Sequence, residues 1–301
     1  MKPIMIAALA GGAMCFAGAA YAQQGVDFSK VEIKVHDLGH QVYMLEGQGG
    51  NISVAVGADG IIMVDTQFAP LHDKIKAAIE KLSPLPIKYV INTHFHVDHV
   101  GGDEAFSKDG AIVVAHENVK ALMASGARNN VSGDLVPPAP PAALPQQTYK
   151  DTLTLRVGGL TAELKHPVDV HTNGDTYVNF PDRNVLVAGD LAFFNRYPNI
   201  DYLYGGSIDG QIRGAEELLA LVKDDATIVP GHGPVGTKAT LRDYREMLIT
   251  ARDRIAKLKA AGKSEDEIIA MKPNADYDAK FGVDQRAIGN FIRVVYRSLK
   301  N

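Results

Sequence analysis

Thr93-His94-Phe95-His96-Val97-Asp98-His99-Val100-Gly101-Gly102 packs three imidazoles and a carboxylate into six residues, directly after the short apolar stretch Ile87 to Ile91. In an extended or turning backbone, side chains at i and i+2 project to the same side. His94, His96 and Asp98 therefore converge on one point, and His99 reaches a neighbouring one. Imidazole nitrogen and carboxylate oxygen are the donors a zinc ion takes when no thiolate is at hand. Isolated histidines usually sit on a surface or in a satisfied core. The density of this run and its Gly-Gly closure favour a metal site instead.

Further candidate ligands stand where apolar runs end. His171 opens His-Thr-Asn-Gly-Asp, ahead of a run ending in Phe180-Pro181, and Asp190 follows Val185-Leu186-Val187-Ala188-Gly189. His232 follows Ile228-Val229-Pro230-Gly231, and Asp65 terminates Gly60-Ile61-Ile62-Met63-Val64. Taken singly, an aspartate after a strand is as often a turn residue. Taken together, imidazoles and carboxylates at strand ends beside glycine describe a shared rim.

Periodicity supplies the frame. Gln41 to Leu45, Asn51 to Val56 and Ile61 to Asp65 read as short strands separated by glycine-containing turns. Leu71, Ile75, Ile79 and Leu82 recur at helical spacing, so a helix is expected over about 70–82, ended by Pro84 and Pro86. Lys88 to Ile91 and Ala111 to Ala115 continue as strands, with a helix from Asn118 to Ser125. Val136-Pro137-Pro138-Ala139-Pro140-Pro141-Ala142 excludes regular helix or central strand. It reads as a surface excursion over 127–147 rather than a domain linker, because candidate ligands lie on both sides of it. Thr152 to Val157, Leu160 to Leu164, Thr176 to Phe180, Asn184 to Ala188 and Thr227 to Val229 are further expected strands. Helices are expected from an Asp209 cap to about Lys223, over about Thr240 to Ala260, after the capping box Ser264-Glu265-Asp266-Glu267, and from Gln285 to Leu299. Strand blocks followed by helices imply two sheets face to face with helices outside.

Composition narrows the setting. Met1-Lys2, the apolar stretch Ile4 to Ala19 and Ala20-Tyr21-Ala22 read as a secretory signal peptide over residues 1–22, cut near Ala22-Gln23. An uncleaved anchor is the weaker alternative, since the stretch is short and rich in glycine and alanine. Export to the periplasm or beyond is the expectation. The one cysteine, Cys15, falls inside that leader, so the mature chain has neither disulfide nor thiolate ligand. Its remaining length of about 280 residues suffices for one sizeable hydrophobic core. Loss of Lys2 moves the formal charge from −4 to −5, without a basic stretch to meet nucleic acid or an anionic membrane. The expected partner is a small-molecule substrate, with no nucleic acid and no stable membrane association after leader removal; no motif encodes an oligomeric state.

The order Asp65, His94-x-His96-x-Asp98-His99, His171, Asp190, His232 resembles the metallo-β-lactamase superfamily over nearly all of the mature chain. The resemblance implies an α/β fold, a four-layer αββα sandwich formed as a single domain over 23–301, with two Zn2+ per chain at one edge. His94, His96 and His171 then hold the first zinc, Asp98, His99 and His232 the second, and Asp190 bridges them. Asp65 supports the metal-bearing loop from behind. The stretch His171 to Gly233 is similar to lactamases whose second zinc is held by cysteine, but here that position is Asp190. In its Gly-Asp context, Asp190 is similar instead to the bridging carboxylate of glyoxalase II.

The expected chemistry is hydrolysis. A metal-bound hydroxide, oriented by Asp98 as the catalytic residue, is expected to attack a substrate carbonyl, most specifically that of a β-lactam. The alternatives are a thioester, lactone or ester hydrolase of glyoxalase II type, an iron-containing redox protein in the same ligand set, and a non-catalytic zinc binder. Asn195 and Asn199 are weak candidates for substrate contact, with plain loop residues as the simpler reading. Gln48-Gly49-Gly50 is either a flap beside the site or a simple turn. His36, His40, His72 and His166 carry no ligand spacing, and His116 begins a helix after a strand.

Overall fold

The computed structural model describes residues 26–299. The expected leader and its cleavage site lie outside them, as does Cys15. Two mixed sheets face each other. The first runs β1 (Lys34–Asp37), β2 (Val42–Glu46), β3 (Ile52–Val56), β4 (Ile61–Val64), β5 (Ile87–Ile91) and β6 (Ile112–His116). Then β7 (Ala127–Arg128) and β8 (Leu135–Val136) form a separate hairpin, and β9 (Gln147–Tyr149) adds to the first sheet beside β6. The second sheet is β10 (Thr152–Val157), β11 (Leu160–Lys165), β12 (Tyr177–Phe180), β13 (Val185–Phe193) and β14 (Thr227–His232), in that order. In the first sheet β1 to β4 pair antiparallel and β4, β5, β6 and β9 pair parallel. In the second, only the β13–β14 pair is parallel.

The period of two in these strands sorts side chains between layers. Ala55, Ile62 and Val64 point to the seam between the sheets, where they meet Leu155, Leu164, Val178, Val187 and Val229 of the second sheet. Val54, Ile61 and Met63 point the other way, onto Ile75 and Ile79 of the helix His72–Glu80. Across the molecule, Leu186 and Ala188 face a larger outer core. There they pack with the helices Ile208–Leu221, Lys238–Ala260 and Gln285–Ser298. Strands buried on both faces read as continuous apolar runs, as Ile61–Val64 and Val185–Ala188 do. The result is the four-layer αββα sandwich.

Local departures have identifiable causes. Strand β13 continues past Ala188 to Phe193, because Gly189 takes φ 54° and shifts register without ending the pairing with β14. Ser207, not Asp209, caps the helix Ile208–Leu221: its hydroxyl accepts from the Gly210 N–H at 3.0 Å, leaving Asp209 in the first turn. The helix Ala275–Phe281 and strand β1, both short, carry no period that announces them. The expected surface excursion holds the β7–β8 hairpin and a 3-10 turn at Pro141–Ala143, and it ends where β9 takes the chain back into the first sheet from Gln147. Among the described residues no helix is long and apolar enough to cross a membrane.

Candidate metal centre

The site lies at the carboxyl ends of β4, β5, β13 and β14, where open α/β sheets expose a crevice. Backbone bonds lace the sheets together there. Asn51 N–H donates to the Gly231 carbonyl (2.7 Å), and its side chain donates to the carbonyls of Pro230 and Gly233 (both 2.9 Å). Thr176 N–H donates to the Thr93 carbonyl at 2.7 Å. The Gln48–Gly50 segment is a fastened turn and not a free flap. Gly50 N–H donates to the Asp98 carbonyl (3.0 Å), and Gln67 donates to the Gly50 carbonyl (2.8 Å). A Cβ on Gly50 would collide with the His99 ring, and one on Gly231 with Asp190 Oδ1. The close approach of both backbones to the ligand groups requires glycine.

All seven expected ligand residues come together, in two groups. His94, His96, His171 and Asp190 offer atoms within 4.8 Å of one another, and so do Asp98, His99 and His232. Asp190 joins the groups: Oδ2 lies 3.7 Å from His94 Nε2 and 3.3 Å from His171 Nε2. Its Oδ1 lies 3.4 Å from His99 Nε2 and 3.6 Å from His232 Nε2. That Oδ1 is buried with no hydrogen-bond partner among the described residues. A buried carboxylate oxygen costs free energy unless something compensates it. A cation flanked by the neighbouring imidazole nitrogens fits that need.

The outward ring nitrogens fix which ones face inward. His96 Nε2 donates to Asp201 Oδ2 (2.8 Å), His171 Nδ1 to the Asn199 carbonyl (2.9 Å) and His99 Nδ1 to Asp65 Oδ2 (2.8 Å). Thr93 Oγ1 donates to Asp65 Oδ2 at 2.7 Å and accepts from His94 Nδ1 at 3.1 Å. With those protons placed, His94 Nε2, His96 Nδ1, His171 Nε2 and His99 Nε2 present lone pairs to the centre. Asp65 also accepts from Thr93 N–H (2.7 Å) and sits at φ 62°, so it is the post on which the histidine loop is hung.

Electrostatics agrees. Burial, reinforced by neighbouring imidazoles, keeps His94 and His171 well below the usual histidine range, and His232 is pushed down to about 3. Burial acts the same way on His99, but Asp190, Asp65 and Asp98 outweigh it and raise the ring to about 10. Burial raises Asp190 to about 7. Burial would also raise Asp98, but the His99, His232 and His96 rings hold it below the ordinary carboxylate value, so it is ionised. His94, His171 and His232 are thus neutral, while the carboxylates raise His96 and His99 against burial and so call for positive charge at the centre, which a cation would supply in place of those protons.

A cleft of about 310 Å³ opens above the centre, lined by His96, Asp98, Asp190 and His232 at its floor. Asn199 lines it, yet its side chain pairs with Asn130 and its carbonyl with His171. Asn195 is exposed outside the cleft lining, at φ 56°, so the expected substrate contact there is replaced by a plain loop position. Sequence reasoning missed Asp201, which is buried behind His96, and Asp175. The Asp175 carboxylate accepts from His171 N–H (2.7 Å) and Thr172 Oγ1 (2.6 Å). It also missed Gln211, which donates to the Asp190 carbonyl (2.7 Å) and to the Tyr244 hydroxyl (3.0 Å). Asp175 stood in the quoted His-Thr-Asn-Gly-Asp run, four residues from a ligand. Asp201 and Gln211 have no spacing signal.

Comparison with known proteins places this geometry. The chain is 24% identical over 251 residues to a linear primary-alkylsulfatase of Pseudomonas sp. (strain ATCC 19151), a match covering 70% of this chain and 47% of that protein. It thus spans about half the length of that relative. It is 25% identical over 190 residues to a metallo-beta-lactamase type 2 of Bacillus sp. (strain 170), covering 63% of this chain and 68% of the other. Among solved structures, the stereoselective inverting sec-alkylsulfatase Pisa1 from Pseudomonas sp. superposes with a TM-score of 0.65 at 17% identity, over 88% of this chain and 50% of that one. A family model described as the metallo-beta-lactamase superfamily matches residues 45–232, from β2 to the last candidate ligand. With its ligand-bearing strand ends inside that match, the chain belongs to the metallo-β-lactamase superfamily, whose members are metal-dependent hydrolases.

Proposed function

We propose that this protein is an exported two-zinc hydrolase of small-molecule substrates, with cyclic amides of the β-lactam type as its leading substrate class. The observation that carries the reading is Asp190, with one carboxylate oxygen facing each group of imidazoles. His94, His96 and His171 would hold one ion, Asp98, His99 and His232 the other, and Asp190 both. Divalent zinc supplies a water of lowered pKa and Lewis-acid polarisation of a carbonyl. The chain's own contribution is positional. Asp98, ionised and 28% exposed at the cleft floor, accepts a hydrogen bond from the attacking water and orients its lone pair. The net reaction adds the water oxygen to the acyl carbon, breaks the carbon–nitrogen bond and delivers the proton to nitrogen. Phe193, stacked on His232 at 5.3 Å, and Phe95 line the cleft beside this floor.

A second reading, ester or thioester hydrolysis in the same site, is favoured by Asp190 itself. The stretch His171 to Gly233 resembles lactamases whose second zinc is held by cysteine, and Asp190 stands at that position here. One experiment separates the two. Metal content of the purified protein is measured beside hydrolysis of a cephalosporin, a carbapenem, a homoserine lactone and a glutathione thioester. The first reading expects two zinc per chain, lactam cleavage, and a loss of about 100-fold or more in kcat for Asp98→Ala. Cleavage of the esters alone transfers the assignment to the second reading. Near-normal turnover in Asp98→Ala removes Asp98 from the mechanism.

A further inference from the structure

Asp190 stands where its strand has left the regular ladder. The pairing of β13 with β12 ends at Val187, and its pairing with β14 passes from Gly189–Pro230 to Phe193–His232. Asp190, Leu191 and Ala192 thus run against the single residue Gly231. Pro230, opposite Gly189, has no N–H to give. A buried carbonyl in such a bulge needs a donor from elsewhere. For Asp190 that donor is a side chain: Gln211 Nε2, on the helix Ile208–Leu221, lies 2.7 Å from its carbonyl oxygen.

The amide is itself held. Its other proton goes to the Tyr244 hydroxyl of the helix Lys238–Ala260 at 3.0 Å, and both side chains are fully buried. The Asp190 carbonyl accepts only from the NH2 end of the amide, so Gln211 has one orientation. The Tyr244 ring meets Phe194 edge-on with centroids 6.4 Å apart, and Phe194 N–H donates to the His232 carbonyl at 3.0 Å. One tyrosine therefore backs the main chain beside both Asp190 and His232. Its helix lies beyond residues 45–232, the span that the family model matches. The carboxylate so backed has the strictest placement at the centre, since each of its oxygens faces a different group of imidazoles. Metal–ligand distances tolerate only about 0.2 Å of error.

We propose that Gln211 and Tyr244 are positioning residues that aim the Asp190 carboxylate, so that two outer helices set how well one aspartate serves both halves of the metal centre. This deepens the two-zinc reading and rests on it for the sharing of Asp190. The test needs no turnover. Zinc is titrated into stripped protein against a competing chelator, at a temperature where far-ultraviolet circular dichroism shows the stripped chain folded. Under that condition a loss of fold stability alone leaves the affinity unmoved, whereas a misaimed ligand weakens it. Gln211→Met, which keeps the bulk and removes the donor, should weaken both binding steps by about tenfold. Tyr244→Phe, which keeps the ring on Phe194, should weaken both by about threefold. Wild-type affinity in either variant, or weakening at one step alone, overturns the proposal. If Gln211→Met does not stay folded without metal, Tyr244→Phe decides by the same criterion. A wild type that takes up one zinc only overturns the two-zinc reading instead, and this proposal then stands or falls on whether both variants weaken that single step.

Discussion

At the scale of single residues, the candidate ligands are legible because metal chemistry restricts residue type and spacing together. His94, His96, Asp98 and His99 announce themselves, and each strand-end residue from Asp65 to His232 takes the place its context implies. The residues that hold them leave no such trace. Asp201 touches His96 across more than a hundred positions of chain, and its burial rather than its neighbours in sequence defines its role. Removing it frees the His96 ring to present either nitrogen. Asp201→Ala should lower zinc affinity by about 10- to 100-fold in chelator competition, with far-ultraviolet circular dichroism unchanged. Affinity equal to wild type would show that the Asp201 bond does not set the ring.

At the scale of elements, the long apolar runs and capping signals located most strands and helices. The Ser264 capping box is formed, with Ser264 accepting from Glu267 N–H and Glu267 accepting from Ser264 N–H. Differences fell at element ends, where a hydroxyl two residues upstream displaced Asp209 as cap and where β13 carried through a glycine, and in short elements such as the helix Ala275–Phe281 and β1, which carry no period. One pairing between elements was invisible in sequence. His116, at the end of β6, stacks on His166, just after β11, with ring centroids 3.7 Å apart and planes 18° apart. Burial and the facing His166 ring push His116 down to about 4. Its neighbours Lys150, Glu117 and Asp151 act in the opposite direction and do not overcome this. A folded pKa below the unfolded value means the unfolded chain takes up the proton first. The contribution is therefore whole above about pH 6.5 and is lost as pH falls toward about 4, by at most about 3 kcal/mol. His116→Asn keeps an acceptor to cap the helix Glu117–Ser125 but cannot titrate. Urea midpoints at pH 7 and pH 5 should differ less in that variant than in wild type; equal differences would exclude the stacked pair as the cause.

At the scale of the whole molecule, the metal centre is a joint between sheets. Its first histidines hang from β5 in one sheet, while Asp190 and His232 come from β13 and β14 in the other. Ions bound there stabilise the packed form over the unfolded chain, in which these donors are far apart. Stripping with a chelator should lower Tm by on the order of 10 °C, and added zinc should restore it. A melting curve indifferent to complete removal would mean that the sheets hold the site unaided.

By itself the amino-acid sequence determined the donor types, the order of ligand motifs and the layered α/β architecture, because residue chemistry, spacing and short-range hydrophobic period are properties of local sequence. The tertiary structure decided what those signals could not carry. It divided the ligands into two groups with Asp190 between them, put Asp201, Asp175 and Gln211 behind them and excluded Asn195 from the cleft. Each of these depends on distances between segments remote in sequence, and such distances exist only once the two sheets have closed on their common core.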